Sequence, residues 1–219
     1  MSELHHHHDH GDHTHHHPTR PDNDAPLTHY QVMEIALREL LIEKGIISAD
    51  DVRRAIEAMD ARTPAQGARV VARAWSDPAY KARLLADGSE AVRELGIDVG
   101  ATRLIVVENT SRLHNLVVCT LCSCYPRMVL GLPPDWYKSR AYRSRAVREP
   151  RAVLAEFGTV LDPAIEVRVH DSTADMRYLV LPKRPAGTEG WSEERLAALV
   201  TRDSMIGVTR PALPMTERS

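Results

Sequence analysis

All three cysteines of this 219-residue chain fall within six positions, Cys119-Thr120-Leu121-Cys122-Ser123-Cys124. Three sulfurs this close cannot be scattered among separate structural roles, so the segment reads as a reactive or metal-binding loop. Three chemistries compete for it. A disulfide framework meets an odd cysteine count, no secretory leader pattern ahead of it, and the strain of a bridge inside Cys122-Ser123-Cys124. A structural zinc site wants four tetrahedral nitrogen or sulfur donors. His114 is the available fourth, but the second ligand pair expected of such a site is missing. The third chemistry is a thiolate claw on one transition-metal ion, and the compactness of the loop favours it.

Chelate geometry supports the claw. The sulfur of Cys122, the amide nitrogens of Ser123 and Cys124 and the sulfur of Cys124 close successive five- and six-membered rings around one ion. Cys119 lies far enough upstream to reach an axial position, which leaves a sixth position for water or substrate, as a catalytic metal requires. Ser123 and Cys124 must each give up an amide proton, so neither can be proline, and the small Ser123 crowds the ion little. Soft sulfur with anionic nitrogen suits a low-spin trivalent cobalt or iron ion better than a hard, oxygen-seeking one.

The segment Val118-Cys119-Thr120-Leu121-Cys122-Ser123-Cys124-Tyr125-Pro126 resembles the metal-binding loop of nitrile hydratase α subunits and of their thiocyanate hydrolase relatives. The likeness continues through Gly131-Leu132-Pro133-Pro134-Asp135-Trp136-Tyr137, Val147-Arg148-Glu149-Pro150-Arg151, Thr188-Glu189-Gly190-Trp191 and Ile206-Gly207-Val208, and spans about Thr28 to Val208. It implies Cys119 as thiolate, Cys122 as sulfinic acid and Cys124 as sulfenic acid, with metal ligands Cys119, Cys122, Ser123 and Cys124. Cys124, Cys122 and Ser123 are then the catalytic residues. Thr120 and Tyr125 match the cobalt branch, so Co(3+) is expected ahead of Fe(3+). The implied reaction hydrates a nitrile to an amide. Arginines from a separately encoded β-type subunit, or subunits, would complete the site.

Two positions depart from the nitrile hydratase pattern. Arg127 stands where a pocket-lining tryptophan is usual, and thiocyanate hydrolase places arginine there. An arginine near the open position favours an anionic or hydrogen-bonding substrate; a surface role is the plain alternative. His170 also replaces a tryptophan, and a packing substitution explains it first. The chain is therefore read as the metal-bearing subunit of a cobalt nitrile hydratase. The alternatives are a thiocyanate hydrolase γ subunit and a non-catalytic cobalt carrier.

Residues 5–17 hold nine of the twelve histidines, interspersed with Asp9 and Asp12. Imidazole runs bind cobalt, nickel and zinc, so a metal-gathering tail and an incidental solvated tail are the two readings. Pro18, Pro21 and Pro26 then form an extended linker.

A net charge of −2 with 26% charged residues leaves no nucleic-acid footprint. No apolar run reaches the roughly 18 residues that span a bilayer, and a cytoplasmic location is expected.

The elements that must position the loop are legible in part. Thr28 with Gln31 forms a capping box before the stripe Val32, Ile35, Ala36, Leu40, Leu41, which Gly45 ends. Further helices start at Ser48, at Thr63-Pro64 and at Asp77-Pro78, the last running to Gly88. Arg103 to Val107 and Leu116 to Val118 read as short buried strands, so the cysteine loop leaves directly from a strand end. Strands at Ile165 to Val169 and Tyr178 to Leu181, and helices near 134–142, 150–157 and 192–200, follow. The expected fold is α+β: a disordered tail and linker over 1–27, a helical arm over 28–100, and over 101–219 an α-β-β-α layered domain that carries the claw. Two separated helices do not bury their apolar stripes easily on a distant core. A partner is expected to cover the arm, with packing on a second copy of the chain as the alternative. Serine-nucleophile chemistry at His170-Asp171-Ser172-Thr173 lacks a nucleophile elbow. The arginines 140, 143, 145, 148 and 151 fit salt bridges at a subunit surface. Trp75, Trp136 and Trp191 are read as core or interface anchors.

Overall fold

A computed structural model describes residues 26–214. The histidine-rich segment and most of the proline linker lie outside the described residues. The chain divides into two compact units, Met1–Ala49 and Asp50–Ser219, and each has its own character.

In the first unit, α1 (His29–Glu43) starts at the expected capping box, in which Gln31 N–H donates to Thr28 Oγ1 and Thr28 N–H donates to Gln31 Oε1. It stops before Gly45, whose φ of +66° is a left-handed conformation that favours glycine. No α1 residue is buried, and Tyr30, Val32, Met33, Leu37 and Leu40 are exposed.

All but the first residue of α2 (Ala49–Asp60) belongs to the second unit; this helix also buries nothing and exposes Ile56 and Met59. Next come α3 (Pro64–Ser76), α4 (Pro78–Ala86) and α5 (Gly88–Arg93), the last two capped by Asp77 and Asp87 side chains. These three helices fall within the 28–100 span, yet they supply Val70, Val71, Tyr80, Leu84 and Val92 to the main hydrophobic core. Gly88, expected to end a helix, instead begins α5. A Cβ there would sit 2.6 Å from the Leu104 carbonyl oxygen, so the glycine lets α5 lie against the next strand.

Four strands follow this helical section: β1 (Arg103–Glu108), β2 (Leu113–Val118), β3 (Glu166–Asp171) and β4 (Met176–Leu181). They form two two-stranded parallel sheets, β1 with β4 and β2 with β3. Parallel neighbours need long crossovers, and the β2–β3 crossover holds the cysteine loop, α6 (Arg127–Leu130), α7 (Asp135–Lys138), α8 (Arg140–Arg148) and α9 (Pro150–Glu156). The expected helix over 134–142 is two helices, because Ser139 is extended and caps α8 through the Tyr142 N–H. α4 and α5 pack on β1, α8 on β2 and α9 on β3, while β2 meets β4, so helices enclose two facing sheets. Short α10 (Glu193–Ala197) and α11 (Arg202–Ile206) complete the unit. Among the described residues no helix is long and apolar enough to cross a membrane.

Candidate metal centre

β2 delivers the loop: Val118 is its last residue, Cys119 follows, and Leu116, Val117 and Val118 are all buried. β3 runs parallel beside it with Val118 opposite Asp171, and Ser172 N–H continues the ladder to the Val118 carbonyl at 2.7 Å. That register puts the Asp171 carboxylate at the mouth of the loop. It accepts from the Thr120 backbone N–H at 2.9 Å and from the Thr120 hydroxyl at 2.5 Å. The Arg143 guanidinium donates to the Thr120 carbonyl at 3.4 Å, Tyr137 hydroxyl to the Cys124 carbonyl at 2.8 Å, and Tyr142 hydroxyl to the Val117 carbonyl at 2.6 Å. A loop held at both ends presents its sulfurs in one arrangement with little further loss of chain entropy.

Within it the three ligand-capable sulfurs all lie within 4.8 Å of one another, with Cys119 to Cys122 at 3.4 Å and Cys122 to Cys124 at 3.1 Å. All three are free thiols: Cys119 is buried, Cys124 half-buried and Cys122 exposed. Hydrogen bonds from the Cys124 and Cys119 thiols, and then from nearby backbone N–H groups, bring the Cys122 thiol down to about 7. Burial, followed by the Cys122 sulfur, pushes Cys124 up to about 12, and the Arg177 guanidinium pulls the other way. Cys122 thus ionises ahead of Cys124, and a thiolate is the metal-binding form.

The donor set fits a claw. Three sulfurs converge, and among the described residues neither the Ser123 nor the Cys124 amide donates to a backbone carbonyl.

His114 does not join this set. It sits second in β2, about 16 Å along the strand from Cys119 at roughly 3.3 Å per residue. One ring nitrogen lies 2.7 Å from the Gly207 carbonyl and the other 3.4 Å from the Asn109 amide. The four-donor zinc site built on it therefore finds no support. His170 bonds Asn115 at 2.8 Å and packs on the Tyr178 ring, in keeping with a packing role. Ser172 is buried, and its hydroxyl accepts from the Tyr178 N–H at 3.4 Å. In the arginine run, Arg145 pairs with Glu149 and Glu156 within the chain, and Arg151 donates to carbonyls of residues 162–165. Trp136 stacks edge-on against Tyr142 and Phe157, and Trp75 donates to the Pro182 carbonyl.

Beside the sulfurs lies a cleft of about 440 Å³ lined by Cys122, Ser123, Cys124, Arg127, Arg62 and Arg177 among others. Arg127 therefore does face the cysteine loop. Arg62 and Arg177 are the residues that sequence reasoning missed, along with Asp171 in its clamping role. Nothing in their local sequence marks them. Arg177 is placed by the pairing of β4 with β1. Arg62 is placed by Gly131, where a Cβ would meet the Arg62 carbonyl oxygen at 2.2 Å. The same glycine, at φ +70°, donates its N–H to the Arg127 carbonyl, so one residue fixes both arginine backbones.

Residues 28–209 match the family model described as nitrile hydratase, alpha chain. The chain is 55% identical over 181 residues to the low-molecular weight cobalt-containing nitrile hydratase subunit alpha of Rhodococcus rhodochrous, covering 82% of this chain and 87% of that one. It is 45% identical over 197 residues to the thiocyanate hydrolase subunit gamma of Thiobacillus thioparus, covering 84% and 81%. Among solved structures, a recombinant thiocyanate hydrolase with partially modified cobalt centres superposes with a TM-score of 0.80 at 44% identity, covering 85% of this chain and 92% of that one. An Fe-type nitrile hydratase from Comamonas testosteroni gives 0.78 at 45%, covering 85% and 96%. On its cysteine loop, its fold and this breadth of similarity, the chain belongs to the nitrile hydratase α-chain family.

Proposed function

We propose that this chain is the metal-bearing α subunit of a cobalt nitrile hydratase, converting R–C≡N and water into R–C(O)NH2. The observation that carries the reading is the convergence of three sulfurs and two uncommitted amides at the carboxyl end of β2. Cys119, Cys122, Cys124 and the Ser123 and Cys124 amide nitrogens hold the ion. A bound trivalent cobalt supplies Lewis-acid polarisation of the nitrile carbon and acidifies water. Cys119 stays a thiolate while Cys122 carries a sulfinic and Cys124 a sulfenic oxygen. The Cys124 oxygen serves the attack on the nitrile carbon, directly or by holding the attacking water. Ser123 keeps the chelate small. Asp171, Arg143 and Tyr137 keep the loop in shape, because a claw that sags changes its donor angles.

A β-type partner contributes further arginines to the sulfur oxygens and covers the apolar residues that α1 and α2 leave exposed. The likeness to cobalt-named relatives supports cobalt over iron. Arg127 keeps a thiocyanate hydrolase γ-type role as the second reading.

The test is to purify the chain with its co-expressed partner from cobalt-supplemented cells, then measure metal content, cysteine oxygenation and products. Cobalt, one doubly and one singly oxygenated cysteine, and amide from a nitrile are the expected result. Carbonyl sulfide from thiocyanate, with no amide, would move the assignment to the second reading. Zinc on unmodified thiols without product would leave a carrier.

A further inference from the structure

The clamp on the cysteine loop is made by an exposed side chain, and what steadies that side chain lies one residue back on the same strand. The Asp171 carboxylate meets Thr120 where water competes for both bonds, so the clamp lasts only while the β3 backbone keeps Asp171 in place. His170 precedes it and is half-buried. Its Nε2–H donates at 2.8 Å to the side-chain oxygen of Asn115. That oxygen can only accept, and the Asn115 amide nitrogen is committed to the Glu108 carbonyl at 2.8 Å and to Asn109 Oδ1 at 3.0 Å. Asn115 is 1% exposed, so losing the His170 bond strands a buried acceptor, a greater cost than losing an exposed bond of the clamp.

The two contacts cross the β2–β3 pair with opposite slants. His170 lies opposite Val117, and Asp171 opposite Val118. From there His170 reaches back to Asn115, toward the amino end of β2, whereas Asp171 reaches forward to Thr120. A slide of β3 along β2 in either direction stretches one contact and compresses the other, so together they resist a change of register. The His170 ring also packs on Tyr178 at 5.0 Å, tilted by 36°. Tyr178 follows Arg177 on β4, and Arg177 lines the cleft beside the sulfurs. One imidazole is thus tied to the clamp through β3 and to the cleft wall through β4.

We propose that His170 is a positioning residue for the metal centre: its bond to Asn115 fixes β3 against β2 and thereby holds Asp171 on Thr120 and the sulfurs in their arrangement. The proposal rests on the metal-bearing reading and adds a residue that touches neither metal nor substrate. The hydrogen bond carries the effect, so another side chain that donates to Asn115 can stand in for the imidazole.

The rate of cobalt release to a chelator and the sulfur-to-cobalt absorption of the loaded complex both report donor geometry. His170→Phe keeps a ring for Tyr178 but cannot donate; it should release cobalt roughly tenfold faster and shift the absorption. His170→Leu gives the same reading should the larger ring fail to fold. His170→Gln, whose amide can donate to Asn115, should recover most of both properties. In an Asp171→Asn background His170→Phe should add little, because two residues that act through one contact are not additive. Thr159→Val is the stability control. It removes a buried hydrogen bond to the Val208 carbonyl, and should lower Tm while leaving release and absorption as in wild type.

Wild-type release and absorption in the His170→Phe and His170→Leu variants would overturn the proposal while leaving the metal-bearing reading intact. So would additive effects of His170→Phe and Asp171→Asn, or no recovery in His170→Gln. Equally fast release from Thr159→Val would overturn it too, since lost stability would then be the whole cause. A wild-type complex that takes up no cobalt overturns the metal-bearing reading and this proposal together.

Discussion

Near its amino end, just after Leu113, β2 carries His114 and Asn115, both buried and both hydrogen-bonded. Asn115 donates to the Glu108 carbonyl and to Asn109, its backbone N–H donates to Asn109, and its amide oxygen lies 2.8 Å from His170. At its carboxyl end the same strand runs into Cys119, and there polar groups are left open: an exposed Cys122 sulfur, two amides without carbonyl partners and unpaired guanidiniums. The larger cavity of the unit, about 940 Å³, is at the amino end and includes Asn109 and His114 in its lining. The smaller one lies beside the sulfurs, where the proposed chemistry is placed. Size is thus a poor guide here. Unsatisfied donors at the carboxyl end of a parallel strand are a better one, as in open α/β sheets generally. Satisfied polar networks fix structure, and open ones await a ligand.

Substitutions at the two ends should separate along that line. The largest expected effect is at the carboxyl end, where Cys122→Ser should abolish cobalt retention and activity. Because Cys122 is exposed, unfolding stability should change by less than about 1 kcal/mol, checked by metal analysis beside a denaturant melt. The amino end should show the reverse with Gly207→Ala. That residue has φ +92°, and a Cβ there would lie 2.0 Å from the Asn115 carbonyl oxygen. A cost of about 3 kcal/mol follows from overpacking plus left-handed strain, which is roughly a 10 °C fall in Tm at this size. Preserved Tm would mean that the end of α11 and β2 part easily there.

Asp171→Asn sharpens the comparison, since it loosens the clamp on Thr120 while leaving every metal ligand in place. Cobalt should dissociate about tenfold faster or more, with a stability loss of about 1 kcal/mol, because the carboxylate is exposed. The smallest effect concerns pH. Burial holds His114 and His170 below their ordinary value of 6.5, so both stay neutral in the folded chain while the unfolded chain takes up protons first. Stability should therefore be flat above about 6.5 and decline as pH falls below it. His114→Gln should flatten part of that decline in melts taken from neutral to mildly acidic buffer.

How much could be read in advance follows from how local each feature is. The capping box of α1 spans Thr28 to Gln31 and the cysteine claw six residues, so both were legible without a fold. β2 was placed too short, because His114 and Asn115 interrupt the apolar run, and only their tertiary partners allow polar side chains to be buried there. Gly88 read as a helix stop, since sequence shows that a glycine is present but not that the Leu104 carbonyl approaches it. The helices α6 and α11, of four and five residues, are too short to display a period.

Sequence alone determined which donors the loop offers, because three thiols and the amides between them are set a few covalent bonds apart. The company the loop keeps was decided by the tertiary structure. Asp171 reaches Thr120 from 51 residues away through the β2–β3 register. Arg62 is held near Arg127 by a backbone contact that only glycine at Gly131 permits. Such convergence depends on which strands pair and how closely backbones pass, and both are settled by burial of the whole core rather than by any short stretch of chain.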